Sequence, residues 1–271
     1  MRLDGKIGIV TAAASGMGRA GALRFAKEGA AVAVVDLDAA GVDAVVTVIT
    51  AAGGKAIGID GDLTDDGFAR DIVRRTANKF GGLDFVWNHV GHPGPAAIEG
   101  IDMADFDIAI GLNLRTVLVT TEAAIPEMRS RGGGALLYTA STSGLVGSGF
   151  SPVYSMAKFG VVGFVRSLAK RLAPDNIRVN AVCPGPIDTP MLRVFVARPD
   201  QQNPTQDKEA LIVQRSQQIP MRRTGRPEEI ANAALFLLSD EASFVSGAAL
   251  PVDGGLLAAQ PGGPPVSYSG D

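Results

Sequence analysis

The sequence predicts an α/β protein built on a doubly wound parallel sheet, and three observations support this fold class. Short apolar runs alternate with longer amphipathic stretches from the first residue onward, which is the pattern of parallel strands joined by crossover helices. The 34 glycines and the hydrophobic content of 46% indicate many tight turns around a large buried core. The length of 271 residues fits one large α/β domain.

The individual elements follow from the period of the apolar residues. Short apolar runs, several flanked by Gly, Pro or Asp, predict about seven strands, at residues 6–11, 31–36, 56–60, 83–88, 135–139, 177–182 and 249–252. Helical periodicity predicts helices on both faces of the sheet, at residues 17–29, 39–52, 65–80, 104–129, 152–172 and 227–238. In the last of these, Pro227 suits the first helical position, and Glu228 and Glu229 suit the positive first turn.

Two segments do not fit the alternation of strands and helices. Residues 192–220 are rich in polar residues and contain Pro199 and Pro204, so we expect a mobile flap between a strand and a helix. Residues 256–271 form a Pro/Gly-rich tail. We therefore expect one domain over residues 1–255, with the flap inside it and the tail after it.

Composition limits the partners and the compartment. The net charge is -3 and no dense Lys/Arg block is present, so we expect a small-molecule partner rather than a nucleic acid or an anionic membrane. The charged first residues do not resemble a secretory signal, and no apolar run approaches the roughly 20 residues of a membrane span. A cytoplasmic location is expected. Cys183 is the only cysteine, which excludes an internal disulfide, and we expect it to be a small buried residue rather than part of a metal site.

A glycine-containing turn follows the first predicted strand. The segment from Thr11 to Gly18 leads into an amphipathic helix. Gly16 and Gly18 would let the backbone approach a pyrophosphate, whose charge the free N–H groups and the helix dipole would stabilise. Two glycines are also compatible with a plain strand-to-helix turn.

A carboxylate ends the second predicted strand, some twenty residues beyond these glycines. Asp36 can accept hydrogen bonds from the hydroxyls of an adenosine ribose. The 2′-phosphate of NADP would be repelled there, and the next residue is Leu37 rather than a cation. These residues predict NAD as the cofactor. Asp36 could instead cap the following helix or simply end the strand, and Arg19 is expected to be a solvated helix residue.

Tyr154 and Lys158 form the candidate catalytic pair. A spacing of four residues places both side chains on one face of the predicted helix. A nearby ammonium stabilises a phenolate, which lowers the pKa of a tyrosine toward the working range of an acid or base. The alternative is a buried aromatic residue beside a lysine whose charged end reaches solvent.

Further motifs, in the same order along nearly the whole chain, resemble those of the short-chain dehydrogenase/reductase family. They are Thr11 to Gly18, Asn88-His89-Val90-Gly91, Ser141 with Tyr154 and Lys158, Pro184-Gly185, Arg226-Pro-Glu-Glu-Ile-Ala231 and Val252-Asp-Gly-Gly255. The resemblance implies a single Rossmann-like dinucleotide-binding domain and an oxidoreductase that acts on CH–OH groups.

The resemblance also implies a role for each member of the catalytic set. Tyr154 would be the general acid/base, and Ser141 would hydrogen-bond the substrate oxygen. Lys158 would bind the nicotinamide ribose and lower the pKa of Tyr154, while Asn113 would hold a water that passes the proton onward. Asn113 could instead only satisfy a kink in its helix.

Cofactor and substrate contacts implied by the resemblance complete the site. The cofactor-binding set is Ser15, Gly16, Met17, Gly18, Asp36, Leu37, Asp62, Leu63, Asn88, Val90, Gly91, Tyr154, Lys158, Pro184, Gly185, Ile187 and Thr189. From its position in the sequence, the substrate-binding set is expected to be His92, Ser141, Ser143, Phe150 and Tyr154, with Val146, Ser148, Gly149 and the flap from Leu192 shaping the pocket. The family commonly forms tetramers, so a homotetramer joined through residues 104–129 and 152–172 is expected.

Two departures from the family pattern affect these expectations. Ala12 stands where the family usually has glycine, and its methyl group narrows the turn that holds the cofactor. His89 and Val90 replace asparagine and alanine in the usual Asn-Asn-Ala-Gly segment, although His89 and His92 could be ordinary hydrogen-bonded loop residues. The main hypothesis is the reversible oxidation of a secondary alcohol with NAD, the ketone being moderately apolar and cyclic or branched. The alternatives are a catalytically silent dinucleotide-binding regulator, or a dehydratase or epimerase on the same fold.

Overall fold

Seven parallel strands form one sheet in the computed structural model, which describes residues 1–197 and 207–258. The strands are β1 (Ile7–Thr11), β2 (Ala31–Asp36), β3 (Lys55–Asp60), β4 (Phe85–Asn88), β5 (Gly134–Thr139), β6 (Ile177–Pro184) and β7 (Ala249–Val252). The α-helices are α1 (Gly16–Lys27), α2 (Ala39–Ala51), α3 (Asp66–Phe80), α4 (Met103–Ile110), α5 (Thr116–Ser130), α6 (Pro152–Leu172), α7 (Pro190–Val196), α8 (Lys208–Ser216) and α9 (Pro227–Leu238). The predicted fold class is confirmed.

The strand order places a crevice at the middle of the sheet. The order is β3-β2-β1-β4-β5-β6-β7, so the direction of winding reverses between β1 and β4. In this register Ile9 of β1 lies between Ala33 of β2 and Val86 of β4. Ligands of open parallel sheets bind outside the carboxyl ends of the strands at such a reversal.

Each face of the sheet is covered by its own hydrophobic core, which explains why the central strands are apolar along their whole length. Successive residues of β1 point to opposite faces, because Ile9 belongs to the core beneath α3, α5 and α6, whereas Val10 belongs to the core beneath α1, α2 and α9. Phe25 of α1 packs edge-on against Phe85 of β4 in the second of these cores.

Side chains near their first turns fix the starts of α2, α3 and α9. Asp38 accepts a hydrogen bond from the Gly41 N–H at the start of α2, and Asp65 accepts one from the Phe68 N–H at the start of α3. Pro227 begins α9 as predicted, and Glu229 accepts from the N–H of the preceding Arg226.

One predicted helix needs correction, and two predicted segments lie partly outside the described residues. The long helix predicted at 104–129 is interrupted by a π-helical turn at Gly111–Arg115, between α4 and α5. The segment predicted as a flap at 192–220 contains helix α8 and most of α7, while residues 198–206 lie outside the described part of the chain. Of the predicted tail, residues 256–258 form a turn in which the Leu257 N–H donates to Asp253, and residues 259–271 lie outside the described part.

One helical run is long and apolar enough to cross a membrane by length and composition. It spans Met103–Ser130, 28 residues, and its most apolar window has a mean hydropathy of 1.4. The expectation that no run approaches this length is therefore wrong. Val117 and Ala124 on its inner face belong to the core above the sheet, and buried core helices commonly meet the same criteria.

Candidate active site

The turn between β1 and α1 holds two glycines at close contacts. A Cβ on Gly18 would lie 2.1 Å from the carbonyl oxygen of Ala12, because the start of α1 packs directly on the turn. A Cβ on Gly16, which has φ +52°, would lie 3.2 Å from the Cγ2 of Thr189. The turn and the loop after β6 therefore face each other across the crevice. Ser15 takes the position before the first helical residue and is exposed.

Asp36 points back toward this turn. Its carboxylate accepts hydrogen bonds from the Ala14 N–H (2.9 Å) and the Asp38 N–H (3.1 Å). Each carboxylate oxygen has a second lone pair, so the group retains the capacity to accept from a ribose hydroxyl. The capping side chain of α2 is Asp38, not Asp36. Leu37 beside it is 72% exposed, so an apolar side chain occupies the surface next to the carboxylate.

Residues that follow β3 and β4 were predicted to contact the nucleotide, and the structure places their side chains in different surroundings. Asp62 is exposed and accepts from the Thr64 N–H at 2.8 Å, whereas the Leu63 side chain is buried in the core, which leaves only its backbone for a cofactor contact. Asn88 ends β4, and its amide nitrogen is buried with no hydrogen-bond partner in the described part of the chain. Val90 packs against the core.

The hydroxyl of Thr11 joins β1 to the segment after β4. It accepts hydrogen bonds from the His89 N–H at 2.8 Å and the Val90 N–H at 3.1 Å. The backbone of this segment is thus anchored at the switch point of the sheet.

Ser141 and Tyr154 line one cavity of about 270 Å³ at the carboxyl end of β5. Ser141 directly follows Ala140, and its Oγ accepts from the Ser143 N–H at 3.1 Å, so that its own O–H is directed elsewhere and can donate to a ligand oxygen. Tyr154 lies in the first turn of α6, and its ring meets the ring of Phe195 edge-on at 5.0 Å.

Lys158 lies one turn further along α6 and is 2% exposed. Its Nζ donates to the Thr139 carbonyl at 2.9 Å and lies 5.4 Å from the centre of the Tyr154 ring. Burial lowers the pKa of this lysine to about 8. The alternative in which the charged end of Lys158 reaches solvent is therefore wrong.

Asn113 occupies the π-helical turn. Its Nδ2 donates to the carbonyls of Ala109 (2.8 Å) and His92 (2.7 Å), which satisfies the backbone at the kink. A Cβ on Gly91 would lie 3.0 Å from the Oδ1 of Asn113 and 3.2 Å from the Nζ of Lys158. The amide oxygen and the ammonium thus flank the same glycine, so Asn113 combines the kink-satisfying contact with a place beside Lys158.

His89 is linked to Trp87 through the hydroxyl of Thr139. The Nε1–H of Trp87 donates to the Thr139 hydroxyl at 2.8 Å, and the same oxygen shares a hydrogen bond of 2.8 Å with the Nδ1 of His89. Burial, aided by the nearby charge of Lys158, lowers the pKa of His89 to about 3.

The cavity wall combines predicted and unpredicted residues. Ser143, Ser148 and Phe150 line it, and Met17, Pro184, Gly185, Ile187 and Thr189 line its cofactor side. His92, Val146 and Gly149 are not among the lining residues, and the Nδ1 of His92 accepts from the Gly94 N–H. The flap expected to shape the pocket does contribute to its wall, through Leu192, Phe195, Val196, Ile212, Arg215 and Ser216. The sequence reasoning did not name these side chains and missed the contributions of Met191 and Leu256.

Groups of three or more His, Cys, Asp or Glu that could hold a metal ion are absent from residues 1–197 and 207–258. Cys183 is buried, and burial raises the pKa of its thiol to about 11. It behaves as a packing residue beneath the site.

The fold and the arrangement of Ser141, Tyr154 and Lys158 define an oxidoreductase of the Rossmann type that works with a nicotinamide dinucleotide. The sequence model of a family described as enoyl-(acyl carrier protein) reductase matches residues 11–257, which is nearly the whole chain. The protein belongs to the short-chain dehydrogenase/reductase family and acts on CH–OH groups or the corresponding carbonyls.

Relatives of similar length support this assignment. The chain is 35% identical to a 3-oxoacyl-(acyl-carrier-protein) reductase of Thermotoga maritima, over 95% of this chain and 100% of that protein. It is 39% identical to a cis-4-hydroxycyclohexanecarboxylate dehydrogenase of Sinomonas cyclohexanicum, over 93% and 97% of the two chains. A solved 7α-hydroxysteroid dehydrogenase, in complex with NADH and 7-oxo-glycochenodeoxycholic acid, superposes with a TM-score of 0.86 at 36% identity, over 94% and 95% of the chains.

Proposed function

We propose that the protein is an NAD-dependent dehydrogenase of cyclic secondary alcohols, working reversibly with the matching ketones, in which Tyr154 is the general acid/base. The observation that carries the proposal is the convergence of the Ser141 and Tyr154 hydroxyls on one cavity, with the buried ammonium of Lys158 beside the tyrosine ring. The alternatives of a silent regulator or a dehydratase account less directly for a complete proton-transfer set.

The proton chemistry follows from these side chains. Ser141 donates a hydrogen bond to the substrate oxygen, and the Tyr154 oxygen takes the hydroxyl proton during oxidation or returns it during reduction. Lys158 stabilises the phenolate, because an ammonium near the ring favours the charged form. A bound nicotinamide supplies the acceptor or donor of the hydride. Gly16 and Gly18 would hold its phosphates and Thr189 its carboxamide, because the glycine turn and the loop after β6 face each other across the crevice, where a Cβ on Gly16 would lie 3.2 Å from Thr189.

NAD rather than NADP is favoured by the surroundings of Asp36. The carboxylate would repel a 2′-phosphate, and Leu37 provides no compensating charge. The related hydroxysteroid dehydrogenase was solved with NADH, which supports the same choice.

A cyclic substrate is favoured by the shape and chemistry of the cavity. Its wall is largely apolar, with Phe150, Phe195 and Met191 around the reacting hydroxyls. Two relatives in the comparison are named for ring compounds, a hydroxycyclohexanecarboxylate and a steroid.

Replacement of the tyrosine hydroxyl tests the catalytic assignment. NADH formation from a panel of cyclic secondary alcohols is measured for wild type, Tyr154→Phe and Tyr138→Phe. Tyr138 is buried in the core, where its hydroxyl shares a hydrogen bond with Thr121. Tyr138→Phe is therefore a matched control that removes a tyrosine hydroxyl away from the cavity. We expect Tyr154→Phe to lose a factor of about 10² or more in kcat, as is usual for loss of an acid/base group. Equal turnover by Tyr154→Phe and wild type would refute the assignment.

The cofactor preference is tested at Asp36. We expect wild type to use NAD with a far lower KM than NADP, and Asp36→Asn to narrow that difference because the repulsion of the 2′-phosphate is removed. Asp43→Asn is the control, because Asp43 is an exposed carboxylate further along α2. A wild-type preference for NADP would overturn the proposal.

A homotetramer is also proposed as the working assembly. Apolar side chains are exposed on α4, α5 and α6, the helices expected to join subunits: Ile108 (49%), Leu118 (56%), Met156 (51%) and Phe159 (45%). Exposed apolar clusters of this kind are typical of protein interfaces.

A further inference from the structure

We infer that the natural substrate carries a carboxylate, which Arg215 binds at the solvent side of the cavity. This inference rests on the proposed oxidation of cyclic alcohols and adds the chemical class of the substrate. It starts from the charges of the cavity wall. Among the described residues that line the cavity, Arg215 is the one with a charged side chain.

The position of Arg215 follows from the spacing of residues on α8. Ile212, Arg215 and Ser216 all line the cavity, and positions i, i+3 and i+4 share one face of a helix. Ile212 and Ser216 are buried, whereas Arg215 is exposed, so the guanidinium stands at the rim. Ser141 and Tyr154 line the same cavity at the ends of other elements.

The two helices of the flap are tied to each other, which keeps this face of α8 turned toward the cavity. Arg193 of α7 forms a bidentate ion pair with Glu209 of α8, with distances of 2.7 and 3.1 Å, and a further ion pair with Asp188 at 2.7 Å. Phe195, also on α7, contacts the Tyr154 ring. Helix α8, which carries Arg215, is therefore connected to Tyr154 through the contacts of α7.

A guanidinium in this position recognises a planar anion. It carries five N–H donors, so it can bind a carboxylate with two parallel hydrogen bonds while it keeps another contact. Apolar side chains line the same cavity: Phe195, whose ring meets that of Tyr154, and the buried Ile212, which lies on the same helix as Arg215. The cavity thus offers two hydroxyls, an apolar wall and a guanidinium, which together suit a molecule that carries a hydroxyl or keto group, an apolar ring and a carboxylate.

A position in the last turn of α8 is also favourable for any cation because of the helix dipole. That structural effect concerns the stability of the helix and does not change with the substrate. A substrate-dependent effect of replacing Arg215 therefore separates the two roles.

The kinetic test compares a hydroxy acid with its neutral ester. NADH formation from 4-hydroxycyclohexanecarboxylate and from its methyl ester is measured for wild type, Arg215→Gln, Arg215→Lys and Arg75→Gln. Arg75 is an exposed arginine of α3 that does not line the cavity, so Arg75→Gln is the charge-matched control. We expect Arg215→Gln to raise KM for the acid by about 10- to 100-fold, as for loss of a charged hydrogen bond, and to leave the ester unchanged.

A binding measurement keeps the test independent of turnover. Cyclohexanecarboxylate and cyclohexanecarboxamide, which lack the reacting hydroxyl, are titrated into the NADH complexes of wild type and Arg215→Gln, with NADH fluorescence as the readout. We expect wild type to prefer the carboxylate, Arg215→Gln to lose that preference and Arg215→Lys to keep part of it. The preference should also weaken with added salt.

The outcomes separate this inference from the proposed function. If wild type binds the carboxylate no better than the amide, or if Arg215→Gln keeps the full preference, Arg215 is not an anion site. If the carboxylate preference is present but no ring alcohol in the panel is oxidised, the inference stands and the proposed reaction fails.

Discussion

Lys158 combines a catalytic position with a cost in stability. Its ammonium is buried, and the hydrogen bond to the Thr139 carbonyl replaces only part of the water it would contact in the unfolded chain. This is the reason that its pKa falls to about 8. The same desolvation strengthens its effect on the adjacent tyrosine.

Replacement of Lys158 by methionine should therefore stabilise the fold while it abolishes activity. At pH 7 lysine is charged in both states, so the cost of burial is fully present, and we expect Lys158→Met to raise the free energy of unfolding by up to about 3 kcal/mol. Between pH 8 and about 10.5 Lys158 is neutral in the folded protein but still protonated in the unfolded chain, so the stability of wild type rises with pH. The difference in the free energy of unfolding between wild type and Lys158→Met therefore shrinks over this range.

Urea unfolding of wild type and Lys158→Met at pH 7 and pH 10 measures this effect. Lys170→Met, at an exposed position of the same helix, should show no such pH dependence. A Lys158→Met protein that is less stable than wild type at pH 7 would contradict the expectation.

His89 gives the protein a sensitivity to acid. The pKa of His89 is about 3 in the folded state and about 6.5 in the unfolded chain. As the pH falls below 6.5, the unfolded chain therefore becomes protonated at this histidine while the folded protein stays neutral there. Between pH 7 and pH 5 this histidine should cost wild type about 1–2 kcal/mol of stability that His89→Asn does not lose. Thermal unfolding at both pH values measures the difference. His92→Asn is measured beside it, because burial lowers the pKa of His92 as well and its share of the acid response has to be subtracted. An unchanged acid response in His89→Asn would exclude His89 as its source.

At the residue scale, the sequence identifies groups whose spacing is local. Tyr154 and Lys158 are recognisable because four residues separate them on one helix. Thr139 could not be assigned its place between Trp87, His89 and Lys158, because that arrangement depends on the pairing of β4 with β5 across about fifty residues. Arg215 gave no signal, since its environment depends on how α8 folds over the cavity.

The turn between β1 and α1 holds an alanine in a left-handed conformation. Ala12 has φ +51°, which costs an L-residue about 1–2 kcal/mol. We expect Ala12→Gly to stabilise the fold by up to about 1 kcal/mol after the greater freedom of glycine in the unfolded chain is counted, and to tighten NADH binding. Ala52→Gly is the control, because Ala52 has φ -83° and glycine there should only destabilise. Thermal unfolding and NADH titration check both results.

Elements with strong periodicity were predicted well. The ends of β2, β7, α6 and α9 agree with the structure, and the other strands differ by at most two residues at either end. The helices α7 and α8 were missed, because they have only seven and nine residues and depend on packing over the cavity rather than on a long apolar pattern. The π-helical turn was missed because the apolar pattern continues through it, and the contact of Asn113 with the His92 carbonyl that accompanies it is tertiary.

At the scale of the whole molecule, the exposed apolar side chains of α5 and α6 predict association. We expect sedimentation velocity to give about four times the 27.9 kDa of one chain for wild type. Leu118→Asp combined with Phe159→Asp should give a smaller species, since a buried, unpaired carboxylate destabilises an interface. Val48→Asp, on α2, is the control for an exposed apolar residue outside that face. A wild-type monomer, or an unchanged double variant, would contradict the assembly.

The order of the strands also constrains how the chain folds as it is synthesised. β1 pairs with β2 on one side but with β4 on the other, and the Ile7 N–H donates to the side chain of Asp84. The first sixty residues can form β1, β2 and β3, yet the edge of β1 that pairs with β4 stays open until residues 85–88 emerge. Because unpaired strand edges aggregate and distant pairing is slow, we expect closure of this edge to limit the yield of the folded enzyme.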